Sequence, residues 1–393
     1  MTNSPRAFRT ALALLLAGMV ACPPAWALVA LNDGRDRIFV TGSFSVSHDS
    51  NVFANSDNEG DFVYSSGVVA EYVRRAGWIG VNGSMGISGS HFDRNSDQNF
   101  RNPRYSLEFT KQSGRTTGSL LFSGARESRA DAAVNLRSTS WNYNTGLNFK
   151  YPAGINTFTG QLGYSSRAYV ADTIFADLAT YTAGLDVIRM LPAERELVAG
   201  YRYRLSETSR DTATSDHAAT LGLSGRLIRG VVGSIRGGMQ TRIPHGGLPG
   251  QGSFSSWTMS GTTAYALSRR LNFTLQLAKD FSTTATDASV DALSADLNAS
   301  FTMNRKVAMS FGAGWGTTQF LGENGRVVIN AGPPPLLGAQ REDSYGTWSA
   351  GVNYGVNDHL KTGLSYSWFQ NWSSTPYADF VRKSWNLNLS SRW

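Results

Sequence analysis

Beyond residue 27 the chain has no cysteine; Cys22 is the only one in 393 residues. That excludes a disulfide framework, thiol catalysis and cysteine-based metal sites in the mature part. Beyond Leu28 there is also no run of 18 apolar residues, so no helix could span a bilayer. Charged residues make up only 17% of the chain. The five histidines, His48, His91, His217, His245 and His359, are scattered, and no two stand at metal-ligand spacing. Almost no stretch repeats with the 3.6-residue period of an amphipathic helix, which excludes a helical bundle. In contrast, glycine is plentiful, at 41 residues, and aromatics reach 11%. The mean hydropathy is −0.25. This balance fits many strands and little helix.

The first segment reads as an export signal. Arg6 and Arg9 precede the apolar run from Ala11 to Ala21, which is too short to span a bilayer as a helix, and Ala25-Trp26-Ala27 offers a cleavage site. Cleavage there makes Leu28 the mature N-terminus and lowers the formal charge from +7 to +5, because Arg6 and Arg9 are the only charged residues removed. Val20-Ala21-Cys22 is a partial lipidation pattern from which Met19 and Pro23 depart.

After this segment a period-two pattern runs to the last residue. In Ser140 to Tyr151, SWNYNTGLNFKY, the residues Trp141, Tyr143, Leu147, Phe149 and Tyr151 alternate with Asn142, Asn144, Gly146, Asn148 and Lys150. The same alternation appears in Val40/Phe44/Val46, Tyr105/Leu107/Phe109, Leu271/Phe273/Leu275/Leu277 and Trp385/Leu387/Leu389. The connections alternate as well. Eight short ones (74–77, 112–115, 152–156, 191–195, 228–230, 268–270, 304–306 and 355–359) are interleaved with nine longer polar ones (49–61, 93–102, 128–137, 171–178, 207–216, 244–253, 283–291, 321–342 and 370–379). Eight turns and nine loops require about eighteen strands. The runs are about 10–14 residues, enough for a tilted strand to cross a bilayer, whereas soluble strands usually have about 5–6.

The expected fold is therefore all-β: a transmembrane antiparallel β-barrel in the bacterial outer membrane, with short periplasmic turns and long outer loops. One face of each strand meets lipid and the other meets water in the lumen, and closure pairs every backbone group. The expected organisation is a signal peptide at 1–27, a short periplasmic segment at 28–36 and the barrel at 37–393. A soluble propeller or β-helix would need a recurring signature residue in each repeat, and there is none.

No catalytic residue, cofactor or metal ligand is assigned. His91, in SHFDRNSD, lies near a strand end as in outer-membrane phospholipases, but the flanking residues lack that motif; it is expected to be a rim histidine. Ser56 to Asp61, SDNEGD, is rich in oxygen ligands but lacks EF-hand spacing. By strand parity Arg167, Arg202, Arg204, Arg226, Arg236 and Arg242 point inward, forming a basic wall, with Glu71, Glu108, Asp186, Asp280 and Asp296 inward elsewhere. Two readings stay open. The wall favours anions, with arginine forks suited to carboxylate or phosphate, or these charges pair across the barrel. The longest loop, 321–342, carries GPPPLLG and can fold inward, cover the mouth or pack on a neighbour.

His48 to Phe53, HDSNVF, follows the first strand and resembles the opening of the β-barrel porin family associated with bacterial exopolysaccharide loci. The strand number and basic lumen are also similar to the alginate export porin. These resemblances imply a passive conduit for an anionic exopolysaccharide, with periplasmic polysaccharide-synthesis or export proteins as partners. Nine residues, Leu28 to Asp36, precede the first strand, so a periplasmic scaffold would come from another chain. The ending Trp385, Leu387, Leu389, Trp393 resembles substrates of the barrel insertion machinery, with Ser391 departing from an apolar position. An anion or nutrient diffusion porin, and a structural or adhesive barrel binding partners through its outer loops, are the alternatives. Nucleic acid is not expected as a partner.

Overall fold

The computed structural model describes residues 29–32, 35–75, 77–131, 136–170, 175–245, 252–322, 326–330, 336–375 and 378–393. The expected signal segment, with Cys22, lies outside them. Strand β1 (Val29–Leu31) is followed by fifteen wall strands: β2 (Asp36–Asp49), β3 (Asp61–Arg74), β4 (Gly80–Phe92), β5 (Phe100–Lys111), β6 (Thr117–Asp131), β7 (Leu136–Ala153), β8 (Asn156–Tyr169), β9 (Leu178–Leu191), β10 (Arg195–Thr208), β11 (Ala213–Ile228), β12 (Val231–His245), β13 (Phe254–Ala266), β14 (Leu271–Thr283), β15 (Ser289–Thr302) and β16 (Val307–Leu321). A separate hairpin, β17 (Arg326–Asn330) and β18 (Leu336–Gln340), precedes the last three wall strands, β19 (Glu342–Gly355), β20 (Leu360–Ser373) and β21 (Phe380–Arg392). Each wall strand pairs antiparallel with its neighbours. β2 closes on β21 from Thr41↔Arg392 to Asp49↔Ser384, and Val40 and Trp393 exchange both backbone bonds at 3.0 Å. The result is a closed ring of eighteen strands, as the alternating connections required.

Packing is inverted relative to a water-soluble protein. Met85 (71% exposed), Met239 (62%) and Leu221 (58%) are open on the outer face, whereas Arg242 and Asn51 are fully buried inside. The stretch Ser140–Tyr151 lies within β7, where Leu147 stands between Leu120 and Leu162 of the flanking strands. On the same lipid face the Phe149 ring lies over Gly160 and the Tyr105 ring over Gly124; a Cβ at either glycine would collide with the ring. No helix of the described residues is long and apolar enough to cross a membrane, and in a barrel the strands do that work.

Several connections are shorter than their polar sequence suggested. The expected loop 207–216 shrinks to 209–212 and the expected loop 283–291 to 284–288. The reason is physical. Strands of 12 to 18 residues outrun the bilayer. Beyond the apolar band both faces meet water, so the strand continues without hydrophobic alternation. The HDSNVF stretch has a structural task at the closing seam. Asp49 takes a fork of bonds from Arg382 of β21 (2.6–3.1 Å). The Asn51 amide donates to Asn55 O and Val381 O and meets Asn58 Oδ1, folding the 50–60 loop onto the last strand.

A hairpin folded into the mouth and the cavity beneath it

The seam between β13 and β14 is incomplete. Pairing runs from Ala266↔Asn272 to Met259↔Lys279 and stops there. β13 nevertheless continues to Phe254 in register with β12, and β14 continues to Thr283 in register with β15. There, while β15 stays paired with β16 as far as Ser289↔Leu321, the long-loop end of β14 has parted from β13. Its new partners lie several strands away. Ala176 N–H, before β9, donates to Ala285 O at 2.8 Å, and Thr212, before β11, bonds Asp287 at 2.6 Å. Phe175, Ala176, Phe281 and Ala285 are buried.

Geometry requires an inward fold. Strands β10 and β14 are four spacings apart, about 19 Å along the wall. An extended arginine reaches roughly 7 Å from its Cα, about 12–14 Å with the bond and the acceptor's own stem. Yet Arg202 of β10 bonds Asp280 of β14 at 2.7 Å, and Arg204 bonds Asp280 at 3.1 Å and the Phe281 carbonyl. The end of β14 must therefore come several ångströms toward the lumen. Arg242 of β12 donates to Ser282 O at 2.7 Å. The Phe281 carbonyl, on the side that β13 has left, is thus satisfied by a guanidinium group, and the Ser282 carbonyl accepts another.

These contacts locate the six arginines. Arg202, Arg204, Arg236 and Arg242 line the lumen as strand parity predicts, but each is paired. Asp216 takes Arg242 in a two-bond fork at 2.6 and 2.8 Å and also binds Arg204. Arg236 bonds Asp186 of β9 at 2.7 Å. Gly222 stands against Arg236 and the Ile235 carbonyl, and Gly200 against Asp186, so an added Cβ at either would collide. Four guanidinium groups thus face three carboxylates, Asp186, Asp216 and Asp280, leaving one net positive charge. Arg167 bonds the neutral Asn142 Oδ1 on β7 at 2.9 Å, away from this group. Arg226 is a correction to the expected wall. Gly225 adopts φ +92° and a bulge follows at Arg226/Ile228, where the strand ends. Arg226 is 59% exposed at the short-turn rim, 3.6 Å from Glu194.

Below the hairpin the lumen holds a cavity of about 810 Å³, lined by β5 to β14. It runs from Lys111 and Lys150, next to the short turns, to Lys279 and Asp280 at the hairpin root. Its charged lining is Lys111, Lys150, Arg202, Arg236 and Lys279 against Glu108, Asp186 and Asp280, net +2. Parity alone did not single out Asp216, Lys279 or Asp291. Lys279 bonds Asp291 and Ser256 where the seam parts. The available signal was an inward acidic residue at a strand end opposite an inward arginine, as in the register Asp216↔Arg242.

Other candidates have structural work. Asp61 accepts Arg94 and Asn95 backbone N–H groups at 2.9–3.1 Å and fastens the 93–99 loop. His91 pairs with Asn99 at 3.0 Å. Among the described residues no three His, Cys, Asp or Glu side chains gather as a metal site. Within the 321–342 loop β17 and β18 pair with each other, while its proline run lies outside the described residues; the β14–β15 end bonds to the segments before β9 and β11.

No protein-family model matches the chain, and no curated protein matches it. Solved structures do. OccK2 (OpdF) of Pseudomonas aeruginosa, crystallised in complex with glucuronate, is 12% identical over 91% of this chain and 97% of that chain, with a TM-score of 0.50. OpdK of the same organism, solved with vanillate, is 10% identical over 91% and 99%, at 0.48. The siderophore receptor PirA of P. aeruginosa is 10% identical over 90% and 80%, at 0.47. The likeness is one of fold: a closed antiparallel β-barrel, as in outer-membrane proteins of Gram-negative bacteria.

Proposed function

We propose that the channel passes small anionic solutes, carboxylates above all, by diffusion. The carrying observation is the cavity: its charged lining is net positive by two, or by one once Lys279 is counted with its partner Asp291, and lies in a low-dielectric wall that focuses the field. Lys150 and Lys111 attract the solute at the short-turn end, and Arg202 meets it under the hairpin. Charges of both signs along the path keep binding weak enough for release. The hairpin across the mouth favours a small solute over a polymer, which would need the mouth clear. Export of an anionic exopolysaccharide rests on the HDSNVF resemblance, and that stretch is accounted for by the closing seam. The test is a reversal potential across a planar bilayer under a salt gradient. Anion preference, with current blocked by millimolar glucuronate, is the expected result. A cation-preferring channel overturns the reading.

A further inference from the structure

The parted seam encodes a second arrangement. Continuing the β13–β14 register beyond Met259↔Lys279 would set Thr258 opposite Asp280, Trp257 opposite Phe281, Ser256 opposite Ser282 and Ser255 opposite Thr283. The side-chain parity of that continuation is correct. Trp257 is 47% exposed on the lipid face, and Phe281 would join it there, while Asp280 and Ser282 would face the lumen with Thr258 and Ser256. No proline interrupts either strand end, and the charges that share the Trp257 face there, Lys279 and Asp291, are paired with each other. The two arrangements exclude each other. In the wall, Asp280 would lie four spacings from β10, about 19 Å, beyond the reach of Arg202 and Arg204.

What holds the hairpin inward is a set of acceptors shaped like a solute's. Asp280 bonds Arg202 and Arg204. The Phe281 and Ser282 carbonyls bond Arg204 and Arg242. Arg242 and Asp216 stay paired whichever way the hairpin lies, since both belong to the β11–β12 wall. Arg202 is the accessible member, its side chain 32% exposed and lining the cavity.

We propose that residues 280–288 form a solute-released latch: Asp280 occupies the carboxylate site of Arg202 and Arg204, a carboxylate-bearing solute displaces it, and the freed strand end zips onto β13, clearing the mouth. This deepens the anion-channel reading and rests on it. A solute with no affinity difference between the two arrangements would shift nothing; here the difference is built in, because only with the hairpin in the wall is Arg202 free for solute and Arg204 left with Asp216 as its one acidic partner.

The experiment is the double variant Ser256→Cys, Ser282→Cys, with Cys22, the only other cysteine, replaced by alanine. In the zipped register their Cα atoms would lie about 5 Å apart, within disulfide range. In folded barrels, verified by heat-shifted gel mobility, mild oxidation is expected to join the cysteines at least about threefold faster with millimolar glucuronate than with neutral glucose. The joined channel is expected to conduct in larger steps than the reduced one. Failure of the cysteines to join, equal rates with the two sugars, or unchanged conductance after joining overturns the latch. Asp280→Asn, which weakens the same contacts without new thiols, is expected to raise open probability, and an unchanged value overturns it too. The reversal potential of the unaltered channel separates the two ideas. Cation preference overturns the transport reading, whereas an anion-selective channel whose cysteines never join overturns only the latch.

Discussion

Leu147 and Asn148 are neighbours on β7, both are exposed, and replacing each in turn by arginine separates the two faces of the wall. Leu147 lies between Leu120 and Leu162, and Asn148 between Ser119 and Gln161. Leu147 stands six residues before the short-turn end of its strand, Ala153. With a rise of roughly 3.3 Å per residue and a tilt of about 40°, that is about 15 Å up a band about 25 Å tall, close to its middle. Arginine at such a depth on the lipid face costs about 2–4 kcal/mol. At Asn148 the new guanidinium points into the cavity, next to Glu108 and water, and the expected cost is below about 0.5 kcal/mol. The assay is equilibrium unfolding by denaturant from phospholipid vesicles, followed by tryptophan fluorescence. L147R should lose at least about 2 kcal/mol more than N148R. Equal losses would mean that both faces see the same solvent, and the barrel assignment of these faces would be wrong.

Asp216→Ala leaves the fully buried Arg242 without its forked partner; a loss of about 3–5 kcal/mol in the same unfolding assay is expected. Lys150→Glu takes the cavity's charged lining from +2 to 0, so the anion-to-cation permeability ratio, read from reversal potentials, should fall toward one. Asp49→Ala removes the Arg382 fork at the closing seam. Proteinase K should then cut within residues 50–60 more readily, with a stability loss of about 1 kcal/mol.

The ring, its strand number and the two faces of each strand were legible because lipid and water impose a strict period of two on side chains. The same rule put Arg202, Arg204, Arg236 and Arg242 on the lumen side. It did not place Arg226, which stands where the strand is ending: Gly225 takes φ +92°, the register shifts just after Arg226, and the side chain sits exposed at the rim beside Glu194. Pairing between distant strands was not legible. Arg202 and Asp280 are 78 residues apart, and their meeting depends on the β14 end leaving the wall. Period two is silent on that departure: the β13 and β14 ends alternate as well as any continuous pair. The inward hairpin was for the same reason invisible.

The partners that complete the ring stand at the two ends of the strand order. Asp49 and Arg382 touch across 333 residues of intervening chain, and Thr41 waits for Arg392. During synthesis the N–H and C=O row of β2 from Thr41 to Asp49 therefore has no mate until nearly every other strand exists. Left bare in an aqueous compartment, such a row would invite other chains to add to it. Whatever escorts this polypeptide to its bilayer must keep that one edge covered, and the last event of assembly is the handover of the edge to β21.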